Sequence, residues 1–242
     1  MKVVLHVLLL LVAALVVVFT AAEPQAPSYL AMIQSQGIIS CTGVLIAPQY
    51  VVTVVPCTTA MTPMRVALPN ELLNVTRFSV HPLSNLSRTE FSLAVLQLGQ
   101  SSANRPATLS FDVLAPQTRA IVRGFGSLNA TTPSNATSAV QEKDGLIHAN
   151  SECAAWDNTL VLDDMVCLSD VYPCGRGNRG SAVTVVQNSQ EVVVALLSWS
   201  WVPCNRSYTV FERISTAKTY LEPYLPSKNA CAMAFQRPQL SR

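Results

Sequence analysis

Beyond residue 22 the chain has two imidazoles, His81 and His148, that could act as bases near neutral pH. A serine hydroxyl is a poor nucleophile at that pH and needs such a base within hydrogen-bond reach. Ser181, which closes the stretch Gly175-Arg176-Gly177-Asn178-Arg179-Gly180-Ser181, has no base near it in sequence. Two histidines and no Cys/His cluster at ligand spacing leave no zinc site, so neither a metal nor a cofactor is expected. The chemistry the residue types do favour is oxidation and glycosylation. Seven cysteines (Cys41, Cys57, Cys153, Cys167, Cys174, Cys204 and Cys231) suit an oxidising compartment in which thiols pair. Five Asn-x-Ser/Thr tripeptides begin at Asn74, Asn85, Asn129, Asn135 and Asn205 and are acceptors for N-linked sugar.

Both features belong to an exported chain, and residues 1–22 read as the signal that exports it. Lys2 supplies the positive start, Val3 to Phe19 is a nearly unbroken apolar run, and Thr20-Ala21-Ala22 offers small residues for cleavage before Glu23. The alternative, an uncleaved anchor, needs about 20 apolar residues and basic residues on the far side. Cleavage removes Lys2, taking 16 basic residues to 15 against 14 acidic. Half the residues are hydrophobic and 12% are charged, with no run of one sign. That composition excludes a disordered or nucleic-acid-binding chain and leaves no membrane partner after cleavage.

The elements that position these residues are short runs rich in Val, Ile and Leu, divided by Pro, Asn, Ser and Gly. They include Tyr29–Ile33, Gly43–Ile46, Tyr50–Val55, Ser92–Leu98, Ala120–Arg123 and Val192–Leu197. Runs at this spacing predict a sandwich or barrel. No long stretch has helical periodicity; Ile214 to Leu225 could hold one short amphipathic helix, ended by Pro226.

Segment by segment, roughly over residues 28–226, the chain resembles the trypsin-like (chymotrypsin-fold) serine proteases. Gly177-Asn178-Arg179-Gly180-Ser181 is similar to their nucleophile loop, Gly-Asp-Ser-Gly-Gly. Cys41-Thr42-Gly43-Val44-Leu45-Ile46-Ala47-Pro48, continuing to Val52-Thr53-Val54-Val55-Pro56-Cys57, resembles Cys-Gly-Gly-Ser-Leu-Ile-Ser-Pro…Thr-Ala-Ala-His-Cys. Ser92-Leu93-Ala94-Val95-Leu96 resembles the Asp-Ile-Ala-Leu-Leu strand, Gly124-Phe125-Gly126 resembles Gly-Trp-Gly, and Ser198-Trp199-Ser200 resembles Ser-Trp-Gly. Val210-Phe211-Glu212-Arg213-Ile214-Ser215 resembles the approach to the family's final helix.

The resemblance implies an all-β fold of two antiparallel six-stranded barrels, roughly 28–115 and 116–226, with a short C-terminal helix. These lie in one domain, 23–226, followed by a tail, 227–242. It also implies the disulfides Cys41–Cys57, Cys153–Cys167 and Cys174–Cys204, bridges typically worth about 2–4 kcal/mol each. Cys231 is left over, as a free or capped thiol or as one half of an intermolecular disulfide. The triad positions fall on Pro56 for the histidine, Ser92 for the aspartate and Arg179 for the serine. Asn178 replaces the aspartate that receives the freed N-terminus, and no Ile-Val-Gly-Gly precedes Tyr29. His81, in Val80-His81-Pro82, matches a surface-loop pattern of the family.

The functional expectation is therefore a secreted serine protease homologue, catalytically inactive, that serves as an extracellular binding or inhibitory protein. Its binding candidates are Tyr172, Arg176, Arg179 and Trp201 around the old specificity pocket; exposed Arg, Tyr and Trp are common interface anchors. Ser198-Trp199-Ser200-Trp201-Val202-Pro203-Cys204 and Ser92–Leu98 also resemble segments of the glucanase inhibitor proteins of plant-pathogenic water moulds. That likeness implies a host glycoside hydrolase as partner. The competing readings are an active trypsin-like endopeptidase with an atypical site and a degenerate secreted protein with no dedicated partner.

Overall fold

A computed structural model describes residues 27–59, 64–85, 87, 90–128, 135–157, 161–199 and 208–226. The segment 1–22, the tail 227–242, and Asn129, Trp201, Cys204, Asn205 and Cys231 lie outside the described residues. In chain order the first barrel takes β1 (Leu30–Ser35), β2 (Ile38–Ala47), β3 (Tyr50–Val54), β4 (Met64–Leu68), β5 (Glu71–Val80) and β6 (Leu93–Leu98). It closes antiparallel in the order β1-β2-β3-β6-β5-β4. The second takes β7 (Arg119–Gly124), β8 (Gln141–His148), β9 (Met165–Ser169), β10 (Ala182–Gln187), β11 (Gln190–Trp199) and β12 (Thr209–Arg213). It closes as β10-β11-β12-β9-β8-β7.

Sequence chemistry explains the turns and faces. Gln36 and Gly37 both have positive φ (51° and 79°), as do Asn188 and Ser189 (49° and 62°). These pairs are the two-residue loops of the β1–β2 and β10–β11 hairpins, where a turn of that hand matches the strand twist. β4 alternates buried and half-buried residues, one face to the core and one to water. β3 and β6 bury nearly every residue, because they pair with each other where the barrels meet. One core packs Val44, Leu45, Val52 and Leu96 together with Phe125, Leu196, Ile214 and Leu221 from the second half of the chain. A separate cluster fills the second barrel around Val122, Ile147, Leu168, Val183 and Phe211.

Two polar ties fasten the halves. The C-terminal segment forms a 3-10 turn at Ser215–Ala217, a short helix α2 (Lys218–Leu221) and another 3-10 turn at Glu222–Tyr224. Tyr220 in α2 donates its hydroxyl to the Ser79 carbonyl (2.7 Å) and accepts the Val95 N–H (3.1 Å), strapping the helix to the first barrel. At the other end, the Tyr29 hydroxyl donates to Glu191 Oε1 (2.6 Å). Arg123 donates to Glu191 (2.6 Å), Glu142 (2.5 Å) and the Thr184 hydroxyl (3.1 Å). Burial, reinforced by the Glu191 carboxylate, pushes the Tyr29 phenol well above its usual range.

The disulfides Cys41–Cys57 and Cys153–Cys167 are formed. Cys174 is disulfide-bonded too, and the partner expected for it, Cys204, lies outside the described residues. One element was not expected, the helix α1 (Asn150–Asp157). Its sequence, Asn-Ser-Glu-Cys-Ala-Ala-Trp-Asp, has no apolar stripe, so periodicity could not reveal it. The Cys153–Cys167 bridge holds it to β9, and Asn150 donates its amide to the Leu162 and Met165 carbonyls (2.7 and 3.0 Å). Among the described residues no helix is long and apolar enough to cross a membrane.

Candidate functional site

The three positions that the resemblance assigns to the triad meet where the barrels join. A Pro-containing 3-10 turn, Val55–Cys57, follows β3 and carries Pro56. The Val55 N–H donates to the Ser92 carbonyl (3.0 Å), placing Pro56 beside the start of β6. Cys57 Sγ lies 3.9 Å from the Arg179 carbonyl oxygen, and the Thr42 N–H donates to that same oxygen (2.8 Å). Pro56 has no titratable group, and the Arg179 guanidinium offers donors only.

Thr42, where the family has glycine, organises the loop that carries Arg179. Its hydroxyl donates to the Gly177 carbonyl (2.7 Å) and accepts the Phe125 N–H (3.0 Å). Its own carbonyl accepts the Thr53 hydroxyl (2.8 Å). The Gly177 N–H, which the resemblance assigns to an oxyanion hole, donates instead to the Ser40 carbonyl (3.2 Å). The Gly180 N–H donates to Leu197 O (2.7 Å), and the Ser181 N–H to Asn178 O (2.9 Å). Gly180 must be glycine: φ is +82°, and a Cβ there would stand 1.9 Å from the Thr42 carbonyl oxygen. Asn178 is buried, and among the described residues its side chain reaches only Gly175 O, at 3.4 Å through its amide nitrogen. Ser181 is 0% exposed and its hydroxyl has no hydrogen-bond partner among the described residues. Arg176 and Arg179, by contrast, are exposed, and Tyr172 is half-buried.

Behind Ser92 lies a carboxyl that the sequence reading did not single out. Glu212 on β12 is 1% exposed and accepts from the Ser198 hydroxyl and the Ser92 N–H. Burial pushes its pKa up to about 8, the charge of Asp164 adds to the rise, and the two donors oppose it. Asp164 Oδ2 accepts the Phe91 N–H (2.6 Å), so adjacent amides of one segment serve the two acids. Phe91 is held at φ 46°, a left-handed conformation costly for a bulky residue. Its ring stacks on His81 with centroids 4.9 Å apart. His81 is thus no surface residue: it is 6% exposed, packed between Phe91 and Tyr220, with Nδ1 accepting the Leu83 N–H. Burial holds its pKa below the usual value against the opposing pull of Asp164.

His148 sits elsewhere, at the end of β8. Its Nδ1 is 3.1 Å from Glu152 Oε2 and its Nε2 is 3.0 Å from the Ser169 hydroxyl, which also donates to Asp170 (2.8 Å). The Trp156 ring packs edge-on against it at 4.8 Å. Among the described residues no group of three or more His, Cys, Asp or Glu could hold a metal.

Neither Thr42 nor Glu212 carried a signal except by difference from the family pattern, Thr for Gly and Glu for Thr. The family model described as Trypsin matches residues 16–221. Among solved structures, kallikrein-related peptidase 10 in complex with Zn2+ is similar, with a TM-score of 0.68 and 19% identity over 84% of this chain and 98% of that one. Likeness at that identity carries the fold alone. No curated protein sequence matches the chain.

Proposed function

Because the chain belongs to the trypsin family, we propose that it is a catalytically inactive member, secreted and glycosylated, that binds and inhibits an extracellular protein, with a glycoside hydrolase as the partner. The observation that carries this reading is the content of the three meeting positions: Pro56, Ser92 and Arg179 supply no nucleophile, no base and no residue to orient one. Acyl transfer by this family's mechanism needs all three roles, and loss of the triad leaves only weak residual rate from binding and oxyanion donors. The Gly177 N–H, spent on Ser40 O, supports the same reading. Loops on a rigid scaffold are where binding residues tend to lie, and loop 174–181 is such a loop. The experiment is affinity capture from extracellular fluid with the mature glycoprotein, beside a trypsin control. Selective recovery of a glycoside hydrolase, with its activity reduced, is expected. Retention of nothing at micromolar concentration overturns the binding role, and recovery of a protease or receptor alone removes the hydrolase.

One observation favours a second reading, an active hydrolase working from an atypical site. Ser169, His148 and Glu152 stand in the order and at the spacing of a nucleophile, a base and its orienting acid. Against it, the Ser169 hydroxyl is also committed to Asp170. Labelling by a fluorophosphonate that disappears in Ser169→Ala would establish this reading. Buried Ser181 is not expected to label in either case.

A further inference from the structure

A cavity of about 340 Å3 opens beside the second barrel, between the 113–116 loop, the start of α1 and the segment after β12. Two unlike charges line it, Arg213 and Asp163, and they form no ion pair among the described residues. Arg213 is half-buried and fixed. Its Nε and Nη2 both donate to the Met165 carbonyl (3.1 and 2.8 Å), which leaves Nη1 without a hydrogen-bond partner among the described residues. The Asn150 amide donates to the same carbonyl (3.0 Å), so Asn150 stands beside the guanidinium. Burial pulls the guanidinium's pKa down, and the charges of Asp163 and Asp164 offset only part of that. Two more polar atoms of the lining residues, Asn150 Oδ1 and Ser215 Oγ, are buried without a partner among the described residues. His148 also lines the cavity, but Glu152 and the Ser169 hydroxyl take both its ring nitrogens.

The rest of the wall is largely apolar. Val113 is 80% exposed, and Leu114, Pro116 and Ile147 stand with it. A lone anion would meet Arg213 but also Asp163, and a lone cation would meet the reverse. A molecule that carries both charges suits both groups. We infer that this cavity binds a free α-amino acid with an apolar side chain. Its carboxylate takes the open guanidinium nitrogen and the Ser215 hydroxyl, and its ammonium takes Asp163 and Asn150 Oδ1. Its side chain covers Val113, Leu114 and Pro116. The volume lies at the lower end of the about 300–1,000 Å3 typical of ligand pockets, which suits so small a molecule. The site shares no residue with the triad positions or with loop 174–181, so it stands independently of the binding role proposed above.

The test is isothermal titration of the full mature protein with four ligands at millimolar concentration. These are L-leucine, N-acetyl-L-leucine (no ammonium), L-leucinamide (no carboxylate) and glycine (no apolar side chain). L-leucine should bind, and each of the others should bind at least about 10-fold more weakly, since each lacks one of the three contacts. Arg213→Gln should weaken L-leucine binding at least about 10-fold. Because Arg213 also braces Met165, Asp163→Asn and Val113→Asp, at exposed positions, carry the test in a sound fold. Both should keep the natural thermal midpoint and weaken binding at least about 10-fold. Val186→Ser, at a position 70% exposed and outside the cavity, should leave binding unchanged. Absence of L-leucine binding to the natural protein overturns the inference. So does binding of the acetylated or amidated ligand as tight as that of L-leucine, or binding that Asp163→Asn and Val113→Asp leave undiminished.

Discussion

Replacing Glu212 by Gln should abolish a fall in stability between about pH 4.5 and pH 8. The acid is 1% exposed, and its pKa is raised from 4.5 to about 8 by burial and by Asp164. Below about pH 4.5 the carboxyl is protonated in both folded and unfolded chains, and the acid costs nothing. Between 4.5 and about 8 the unfolded chain gives up this proton while the folded one keeps it, so stability falls as pH rises. At about 1.4 kcal/mol per pH unit the loss is about 3 kcal/mol at pH 7 and about 4 kcal/mol at pH 8, where the folded acid is half ionised, and it levels off just under about 5 kcal/mol roughly a unit higher. An amide has the same shape and does not titrate; its NH2 takes the place of a carboxyl oxygen that has no partner among the described residues, a cost independent of pH, so the quantity compared is the slope. Urea unfolding followed by tryptophan fluorescence at pH 4, 5.5, 7 and 8.5 should show that slope in the natural protein. In Glu212→Gln the contribution should be missing, with equal m-values. Parallel pH profiles for the two proteins would refute the reasoning, because Glu212 would then be ionised in the fold.

Thr42→Val keeps the backbone bonds but leaves the buried Gly177 carbonyl and Phe125 N–H unpaired. At about 1–3 kcal/mol per orphaned group it should cost about 2–5 kcal/mol in a urea titration. Gly180→Ala forces a Cβ against the Thr42 carbonyl in a left-handed conformation and should cost at least about 3 kcal/mol, read as a fall in thermal midpoint or loss of soluble protein. Tyr29→Phe removes the hydroxyl that donates to Glu191 and should cost about 1–2 kcal/mol by the same unfolding assay, since the acceptor is charged but partly solvated.

The strands β1, β2, β3, β6, β7 and β11 were legible because each holds a short run of branched residues between turn formers, whereas β5 (Glu-Leu-Leu-Asn-Val-Thr-Arg-Phe-Ser-Val) and β8 (Gln-Glu-Lys-Asp-Gly-Leu-Ile-His) carry too many polar residues to stand out. The bridges Cys41–Cys57 and Cys153–Cys167 came from resemblance, since spacing could not choose among pairings. What stayed hidden depends on distant neighbours. Val80-His81-Pro82 reads as a surface corner until Phe91 and Tyr220 close over it. Nothing in Val210-Phe211-Glu212-Arg213 marks Glu212 as an inward acid, and its burial comes from a strand covered at every residue but the last. The helix α1 owes its place to a disulfide and to Asn150 rather than to an apolar stripe. Arg176 and Arg179 could be nominated from sequence, whereas their exposure and the pinned chain beneath them could not.

A loop that serves a reaction has to leave some amides idle until substrate arrives, and that idleness limits how tightly it can be held. Here the amides of Gly177, Gly180 and Ser181 all have permanent acceptors, and the carbonyls of Gly177 and Arg179 have permanent donors. The segment has no reason to open on its own. The amide protons of Gly177, Gly180 and Ser181 should exchange with deuterated water as slowly as those of β3 and β6, through whole-molecule unfolding rather than local breathing.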